Sequence, residues 1–573
     1  MKHISMQYIS LIFIAISSFF IFNTAQAQNF SWAKQVTNNC EISDVVEAPN
    51  GDLLIAGEFG GEFDFNPNDG IVELISVNNR DQFIIRVSPA GELLWVMQLD
   101  GYVFLDYIKL AVDANGDFYV AGQFSDSFDF DFSDADVTLT SAGSSGGYVA
   151  KYSANRDLIW VNQIDTESGF IEISSLMVDS DFGVYLGGYL QTELQVNGTS
   201  VISTGNSLAH GFLLKFNTEG SYAWGGAMSE NTSLNDLALT NEGKIIVVGK
   251  FFASNDVDLD PNTTFELTSV NTGFDVYFSI YNPDGTLADA RGFESNDNDE
   301  AERVAVDANG NIIIVGQFRT VIGFNPITPT PGNNMFTAGF TDGTFLAKFN
   351  PELDCLWERQ IGVSSDTFFN DLAIDNSGGI WTTGIFEGTA NFDPLGAESL
   401  TSQGNTDAFL SWIDTDGNYM FGGQFTGSSN YERARALTVS NDGSVYVVGD
   451  FLTELDLDFG NEPPVFTAEP GTGSSGFIVK YTGAPLSANK SPLELNLVAY
   501  PNPTMGVLII ETSRNLSNAR LQVINQLGQT VSHSYRMLDQ RIYLEMNGKD
   551  GLYFLQLSWP DGTSSSMKVI KKS

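Results

Sequence analysis

The stretch Val112-Asp113-Ala114-Asn115-Gly116-Asp117-Phe118-Tyr119-Val120-Ala121-Gly122-Gln123-Phe124 reads as a strand end, a tight Asn-Gly turn and a second strand of β-branched and aromatic residues. Its terminal glycine recurs as Gly57, Gly122, Gly188, Gly249, Gly316, Gly384 and Gly449, at gaps of 65, 66, 61, 67, 68 and 65 residues. Two positions further on stand Phe59, Phe124, Leu190, Phe251, Phe318, Phe386 and Phe451. One hairpin is therefore repeated seven times at nearly even spacing. That recurrence decides the architecture and leaves the ligand open.

After each copy comes a loop, often acidic, then a short strand and a second hairpin. In the second copy these are Phe128-Asp129-Phe130-Asp131, Val137-Thr138-Leu139-Thr140, Tyr148 to Tyr152, and the strand Leu158 to Gln163. A tryptophan recurs in that last strand as Trp32, Trp95, Trp160, Trp224 and Trp357, with Asp289 and Phe421 in its place elsewhere. Residues 30 to 482 lack a helical period, and turns rich in Gly, Asn and Asp imply an all-β chain. Four or more strands per unit of roughly 65 residues suggest a propeller blade, larger than the usual blade of about 40–50 residues. The alternative is a row of β-sandwiches, but each unit is too small and glycine-rich for its own two-sheet core.

The ends of the array predict closure. The strand Phe30 to Gln35 precedes any complete unit, and the seventh unit stops at Tyr481 without its Trp strand. Inserting the first strand into the last unit completes seven blades and removes the open edges. The segments VDANGDFYVAGQF and YVAKYSANRDLIWVNQ, with their counterparts from residue 30 to 482, resemble the seven-bladed β-propeller repeat family of bacterial exported proteins. The resemblance implies the fold and leaves activity open, since propellers host many functions.

Composition narrows the partners. The chain has 573 residues, 42% hydrophobic and 12% aromatic, enough for a substantial core. Acidic residues number 71 against 27 basic, a formal charge of -44, which excludes a nucleic-acid or anionic-membrane partner lacking a local basic patch. The two cysteines, Cys40 and Cys355, lie far apart in the repeat register, so no disulfide is expected and stability must come from packing.

Residues 1 to 27 read as a secretory signal peptide, with Lys2 at the charged start, an apolar stretch from Ile9 to Phe22 and the cleavage site Ala25-Gln26-Ala27. No later segment is apolar enough to span a membrane as a helix. The repeat domain is expected over 28–482 and a linker over 483–494. A small β-sandwich over 495–573 follows. Its segments YPNPTMG, VINQLGQ, GLYFLQL and the basic end KVIKK resemble, in order, the type A C-terminal sorting domain of type IX secretion. That resemblance implies recognition of residues 495–573 by an outer-membrane export machine and delivery to the cell surface or medium.

Blade topology puts the first-to-second and third-to-fourth turns on one face and the longer, acidic connections on the other. The long-loop face is the expected binding surface for an extracellular protein or glycan. Paired carboxylates Asp129/Asp131, Asp258/Asp260 and Asp456/Asp458, with partial matches at Asp64/Asn66, Asn325 and Asp393, supply hard oxygens suited to Ca²⁺. Strand alternation offers a second explanation, in which Phe128 and Phe130 pack inward and the aspartates face water. No spacing matches the full EF-hand loop.

Catalytic material is sparse. After residue 27 the histidines are His210 and His533, which leaves Ser-His-Asp, Cys-His and His-rich zinc sites without members. Carboxylate chemistry such as glycoside hydrolysis has candidates in Asp297, Asp299, Glu300 and Glu302, entering the fifth hairpin copy. Arg433 and Arg435, in the corresponding place before the seventh, are unusual in so acidic a chain and suit an anionic ligand or a local ion pair with Glu432 or the acidic loops. Three readings follow: a non-catalytic binding propeller, a secreted carboxylate-dependent hydrolase or lyase, and a calcium-stabilised structural or adhesive protein.

Overall fold

In the quoted stretch Gly116 takes a left-handed φ of 84°, open to glycine without a Cβ penalty. Asp113 Oδ1 accepts the amides of Asn115 at 2.9 Å and Asp117 at 3.1 Å, which holds the turn. The strand Phe118–Phe124 then pairs antiparallel with Gly146–Tyr152, Gly122 opposite Tyr148. Lys151, on that third strand, reaches back to Asp113 Oδ2 at 3.1 Å. The same tie recurs between Arg86 and Asp52 at 2.9 Å and between Lys348 and Asp307 at 2.9 Å.

The computed structural model describes residues 29–482 and 498–572 apart from short stretches within them, of which 325–334 and 100–107 are the longest. The expected signal peptide and the linker lie outside the described residues, as do Asn66 and Asn325. Every regular element among the described residues is a strand, so none is a helix long and apolar enough to cross a membrane.

Seven antiparallel sheets carry the repeat in the expected four-strand order. Their first strands are Cys40–Glu47, Lys109–Val112, Ile171–Val178, Thr232–Leu239, Glu300–Val306, Thr367–Ile374 and Glu432–Val439. Each first strand packs against the next, and Glu432–Val439 returns to Cys40–Glu47, so the sheets form a closed ring of seven blades. We number the blades from one to seven in that order. Asn29–Val36 is the outermost strand of blade seven, paired with Ser475–Thr482, with Trp32 opposite Lys480. The ring is therefore closed by the N-terminal strand, as the unbalanced ends predict.

Apolar side chains fill the gaps between blades. At the closing seam Ile55, Phe83 and Ile85 of blade one pack with Tyr446, Val448 and Ile478 of blade seven. Each such buried side chain contributes about 1.5–3 kcal/mol. The recurrent tryptophan adds an outer clamp. Trp32, Trp160, Trp224 and Trp357 donate Nε1–H at 3.1 Å to Pro89, Thr218, Pro283 and Thr415 carbonyls respectively. Each bond runs from the outer strand of one blade to the third-to-fourth turn of the next.

The long second-to-third connections differ from simple loops. Each carries a two-stranded ribbon, such as Glu62–Asp64 with Glu73–Ile75 and Ser127–Asp129 with Thr138–Thr140. In blade six the ribbon continues the strands Ile380–Asn391 and Ser399–Ile413. The blade-three ribbon, Glu193–Val196 with Thr199–Ser203, joins the outer strand of blade two and widens that sheet to six strands. The others fold back on outer strands. Gln98 donates to the Ile75 carbonyl at 2.9 Å, and Gln163 to that of Thr140 at 2.7 Å. The ribbons consequently lie at the rim.

The C-terminal segment forms two sheets, Val498–Tyr500, Val507–Glu511, Arg541–Met546 and His533–Leu538 in one, Arg520–Asn525, Gly551–Ser558 and Ser564–Lys571 in the other. Leu508, Ile510 and Leu544 of the first share a core with Val523, Leu555 and Val569 of the second. This is the expected small β-sandwich.

Candidate functional site at the propeller axis

The first strands bulge at one common step. In blade one Ile42 pairs with Gly57 and Asp44 with Ala56, so Ser43 is the extra residue of the bulge. Ser174, Asn235, Glu302, Asn370 and Arg435 occupy the same place in blades three to seven. A bulge re-aims its extra residue, and here the ring geometry turns it toward the axis. The bulge also explains the repeat glycine. A Cβ on Gly188 would stand 1.9 Å from the Glu172 carbonyl oxygen, and one on Gly449 1.9 Å from that of Arg433.

Residues at and beside the bulges tie neighbouring blades together, one to two, three to four, four to five and six to seven. Ser174 Oγ donates to the Leu234 carbonyl at 2.6 Å, Asn235 Nδ2 to that of Ala301 at 2.9 Å, and Asn370 Nδ2 to that of Ala434 at 2.8 Å. Asp44, Asp236 and Asp371 accept the amides of Leu110 at 2.8 Å, Val304 at 3.0 Å and Leu437 at 2.8 Å. Ser174, Asn235, Asn370, Asp44 and Asp371 of the polar lining are thus structural.

A cavity of about 620 Å³ opens here. Asp44, Lys109, Glu172, Asn235, Arg303, Asp371 and Arg435 all line it, one from each blade, and only the axis touches all seven. Tyr189, Phe274 and Phe369 supply aromatic wall. A smaller cavity of about 330 Å³ shares Lys250, Phe274 and Glu300 with it and is lined further by Asp299, Gln317 and Arg319. The first strands enter the cavity by their leading ends, so it opens toward the blade-to-blade connections. That is the face expected from topology, although the site is at its centre and the acidic ribbons are at its edge.

Charges in the cavity fall into two sets. Lys250 pairs with Glu300, and Arg435 with Asp450 at 2.8 Å and Glu41 at 3.2 Å. Lys109 makes no ion pair among the described residues, and Arg303 spends only Nη1, on the Glu302 carbonyl at 2.7 Å. Burial dominates the carboxyls. It pushes Glu302 up to about 8, with Glu300 adding repulsion and Arg303 opposing. Burial also raises Asp371 to about 6 against the pull of Arg303, and raises Asp44 and Glu172 above the usual carboxylate range. Glu302 Oε1 accepts from Gln317 Nε2 at 2.8 Å, while its buried Oε2 has no hydrogen-bond partner among the described residues.

The sequence-derived candidates divide accordingly. Glu300, Glu302 and Arg435 line the main cavity and Asp299 the smaller one. Asp299 is buried and accepts the Arg319 amide at 2.7 Å. Asp297 turns locally onto the Asn298 amide at 2.9 Å, and Arg433 stacks over Tyr431, 3.8 Å from the ring centroid. Arg435 takes Asp450 and Glu41 as partners rather than an acidic loop. His210 is buried with Nδ1 2.9 Å from the Met228 carbonyl, and His533 Nδ1 lies 2.7 Å from that of Val531. Cys40 and Cys355 are free thiols.

The aspartate pairs sit on separate ribbons. Phe128 and Phe130 are buried, and Asp129 Oδ1 accepts the amides of Asp131 at 3.0 Å and Val137 at 3.1 Å. Asp456 Oδ1 accepts the Asp458 amide at 3.0 Å. In blade four the equivalent pair is Asp256/Asp258, one step earlier than Asp258/Asp260, because Asn255 stands where Phe128 stands and obscures the alternation. Asp260 instead caps Asn262, whose amide and side chain hold its carboxyl below the ordinary range. Among the described residues no three His, Cys, Asp or Glu side chains converge as a metal site.

Lys109, Arg303, Glu172, Asp44 and Asp371 escaped the sequence reading. A signal for the site existed. The residue between the repeat glycine and phenylalanine is Glu58, Gln123, Tyr189, Lys250, Gln317, Ile385 and Asp450, chemically scattered inside an otherwise constant apolar strand. Tyr189, Lys250 and Gln317 of that set line the cavities.

Comparison with known proteins bears on the two regions separately. Residues 498–572 match the family model of the Secretion system C-terminal sorting domain. An uncharacterized WD repeat-containing protein of Acanthamoeba polyphaga mimivirus is 23% identical over 536 residues, covering 78% of this chain, and the match spans 38% of the relative's length. Among solved structures, an ulvan lyase of a polysaccharide lyase family is 11% identical with a TM-score of 0.36, covering 76% of this chain and 98% of that one. An α-L-arabinofuranosidase from Fusarium graminearum is 11% identical with a TM-score of 0.31, covering 79% and 98%. A protein of unknown function from Bacteroides caccae is 10% identical with a TM-score of 0.29, covering 60% and 89%. Likeness at that level says nothing of substrate or chemistry. The chain is thus a repeat β-propeller protein. Its tail is a type IX sorting domain, which directs export across the outer membrane to the cell surface or medium.

Proposed function

We propose that this exported propeller binds a glycan in the axial cavity. The observation that carries the reading is the cavity itself: about 620 Å³, concave, with Tyr189, Phe274 and Phe369 set among hydroxyl, amide and charged groups. Such a volume suits a small oligosaccharide, and rings beside polar donors match a sugar's apolar faces and hydroxyl edges. A flat protein partner would engage the rim instead. The reading includes a signal peptide removed after Ala27, a propeller over 28–482, a linker over 483–494 and a sorting domain over 495–573. A glycan array probed with the secreted protein tests it, followed by titration of hits against Phe274→Ala and Tyr189→Phe. Affinity should fall at least tenfold in Phe274→Ala. Retention of surface proteins with no glycan signal would sink the reading.

One observation favours a catalytic alternative. Burial pushes Glu302 up to about 8, which favours its protonated form, and Glu300 lies two residues away on the same strand. A neutral acid near a second carboxylate is the equipment of carboxylate-dependent hydrolysis or elimination. Reducing-end release from bound glycan, abolished in Glu302→Gln, would establish it.

A further inference from the structure

Basic residues are scarce in this chain, 27 against 71 acidic, yet four of them line one cavity: Lys109, Lys250, Arg303 and Arg435. Lys250 and Arg435 are consumed by Glu300, Asp450 and Glu41. Lys109 and Arg303 are half-buried without an ion pair among the described residues. The carboxyls that face them, Asp44, Glu172, Glu302 and Asp371, attract them without a direct ion pair, and their oxygens bond elsewhere, Glu172 Oε2 accepting the Tyr189 hydroxyl at 2.8 Å. Asp44 gives both oxygens to the amides of Val45 and Leu110, and Asp371 both to those of Leu372 and Leu437. Glu302 points one oxygen at Gln317. A staple that bonds two blades cannot swing out to pair directly with a cation. Arg303 therefore keeps Nε and Nη2 for something else, and that planar fork matches a carboxylate or sulfate.

We infer that the axial cavity selects an acidic sugar, one bearing a carboxylate or sulfate group, through Lys109 and Arg303. The inference rests on the glycan-binding reading of the same cavity. It gives the two cations a direct partner at contact distance, and the aromatic wall holds the neutral part of the ring. The charge of -44 opposes an anion at long range, so recognition must be local.

Isothermal titration of the secreted protein would use three probes: trigalacturonate, a sulfated chondroitin disaccharide and neutral cellotriose. The expected result is at least tenfold tighter binding of one acidic probe than of cellotriose, the better acidic probe telling carboxylate from sulfate. Lys109→Met and Arg303→Gln should each weaken the acidic probe at least tenfold and leave cellotriose within twofold. If a variant misfolds, salt decides on the unaltered protein. Local pairing predicts that affinity for the acidic probe falls as salt rises from about 20 to 300 mM, whereas the overall negative field predicts the opposite. Equal binding of acidic and neutral sugars would overturn the inference and leave the glycan reading intact. No binding of any sugar, here and on the array, would overturn both.

Discussion

Replacing Glu302 with glutamine should stabilise the propeller in alkali and leave it unchanged in acid. In the unfolded chain this carboxyl titrates near the ordinary glutamate value of 4.5, and in the fold near 8. Below about pH 4 both states are protonated and the side chain costs nothing. Between those values the unfolded chain releases its proton first, so stability falls as pH rises; above about 8 the loss is complete. The full shift corresponds to about 5 kcal/mol, and water in the open cavity together with relaxation toward Arg303 reduces this to roughly 1–3 kcal/mol. Glutamine carries no charge and keeps the acceptor for Gln317, so Glu302→Gln avoids the loss. Urea unfolding followed by tryptophan fluorescence reads the propeller, since seven of the eight tryptophans precede residue 482. The two proteins should coincide at pH 4 and separate progressively to pH 9, the variant being more stable. Identical midpoints across that range, or a less stable variant at pH 9, would refute the burial argument. Asp371 and Asp450, raised to about 6, drift in the same direction in both proteins and cancel in the difference.

Trp32→Ala removes the clamp from the closing strand to Pro89 and should cost roughly 2–4 kcal/mol in the same assay; a loss under about 0.5 kcal/mol would mean the strand does not close the ring in solution. Asp129→Ala leaves two ribbon amides without their acceptor and should lower stability by roughly 1–2 kcal/mol equally with and without EDTA. A loss confined to calcium-containing buffer would assign the pair to metal instead. Deleting residues 498–572 should leave the protein in the periplasm on cell fractionation, and unchanged release to the medium would contradict the role of the tail.

The hairpin turn at Gly116 and the tryptophan strands were legible because their physics is local. A left-handed glycine, an Asx acceptor and β-branched alternation act within a few residues. The spare strand at Trp32 was legible by counting. The ribbons were read only halfway. Alternation of Phe128 and Phe130 showed which side packs, while their return onto Gln98 and Gln163 depends on outer strands some 20 residues away. Blade four was misaligned by one step because Asn255 breaks the pattern that marks the ribbon.

Glu300, Glu302 and Arg435 were visible as charges out of place, but as members of separate loops. Lys109, Arg303 and Asp371 gave no such sign, since each is one charged residue in one strand. The sequence by itself determined the blade, its sevenfold recurrence, the closing strand and the export tail, because those rest on periodicity and short-range chemistry. Only the tertiary structure decided the site. Closing the ring brings seven bulged strands to one axis, where residues up to about 390 positions apart share a cavity. There, burial and blade-to-blade hydrogen bonds determine which charges remain for a ligand.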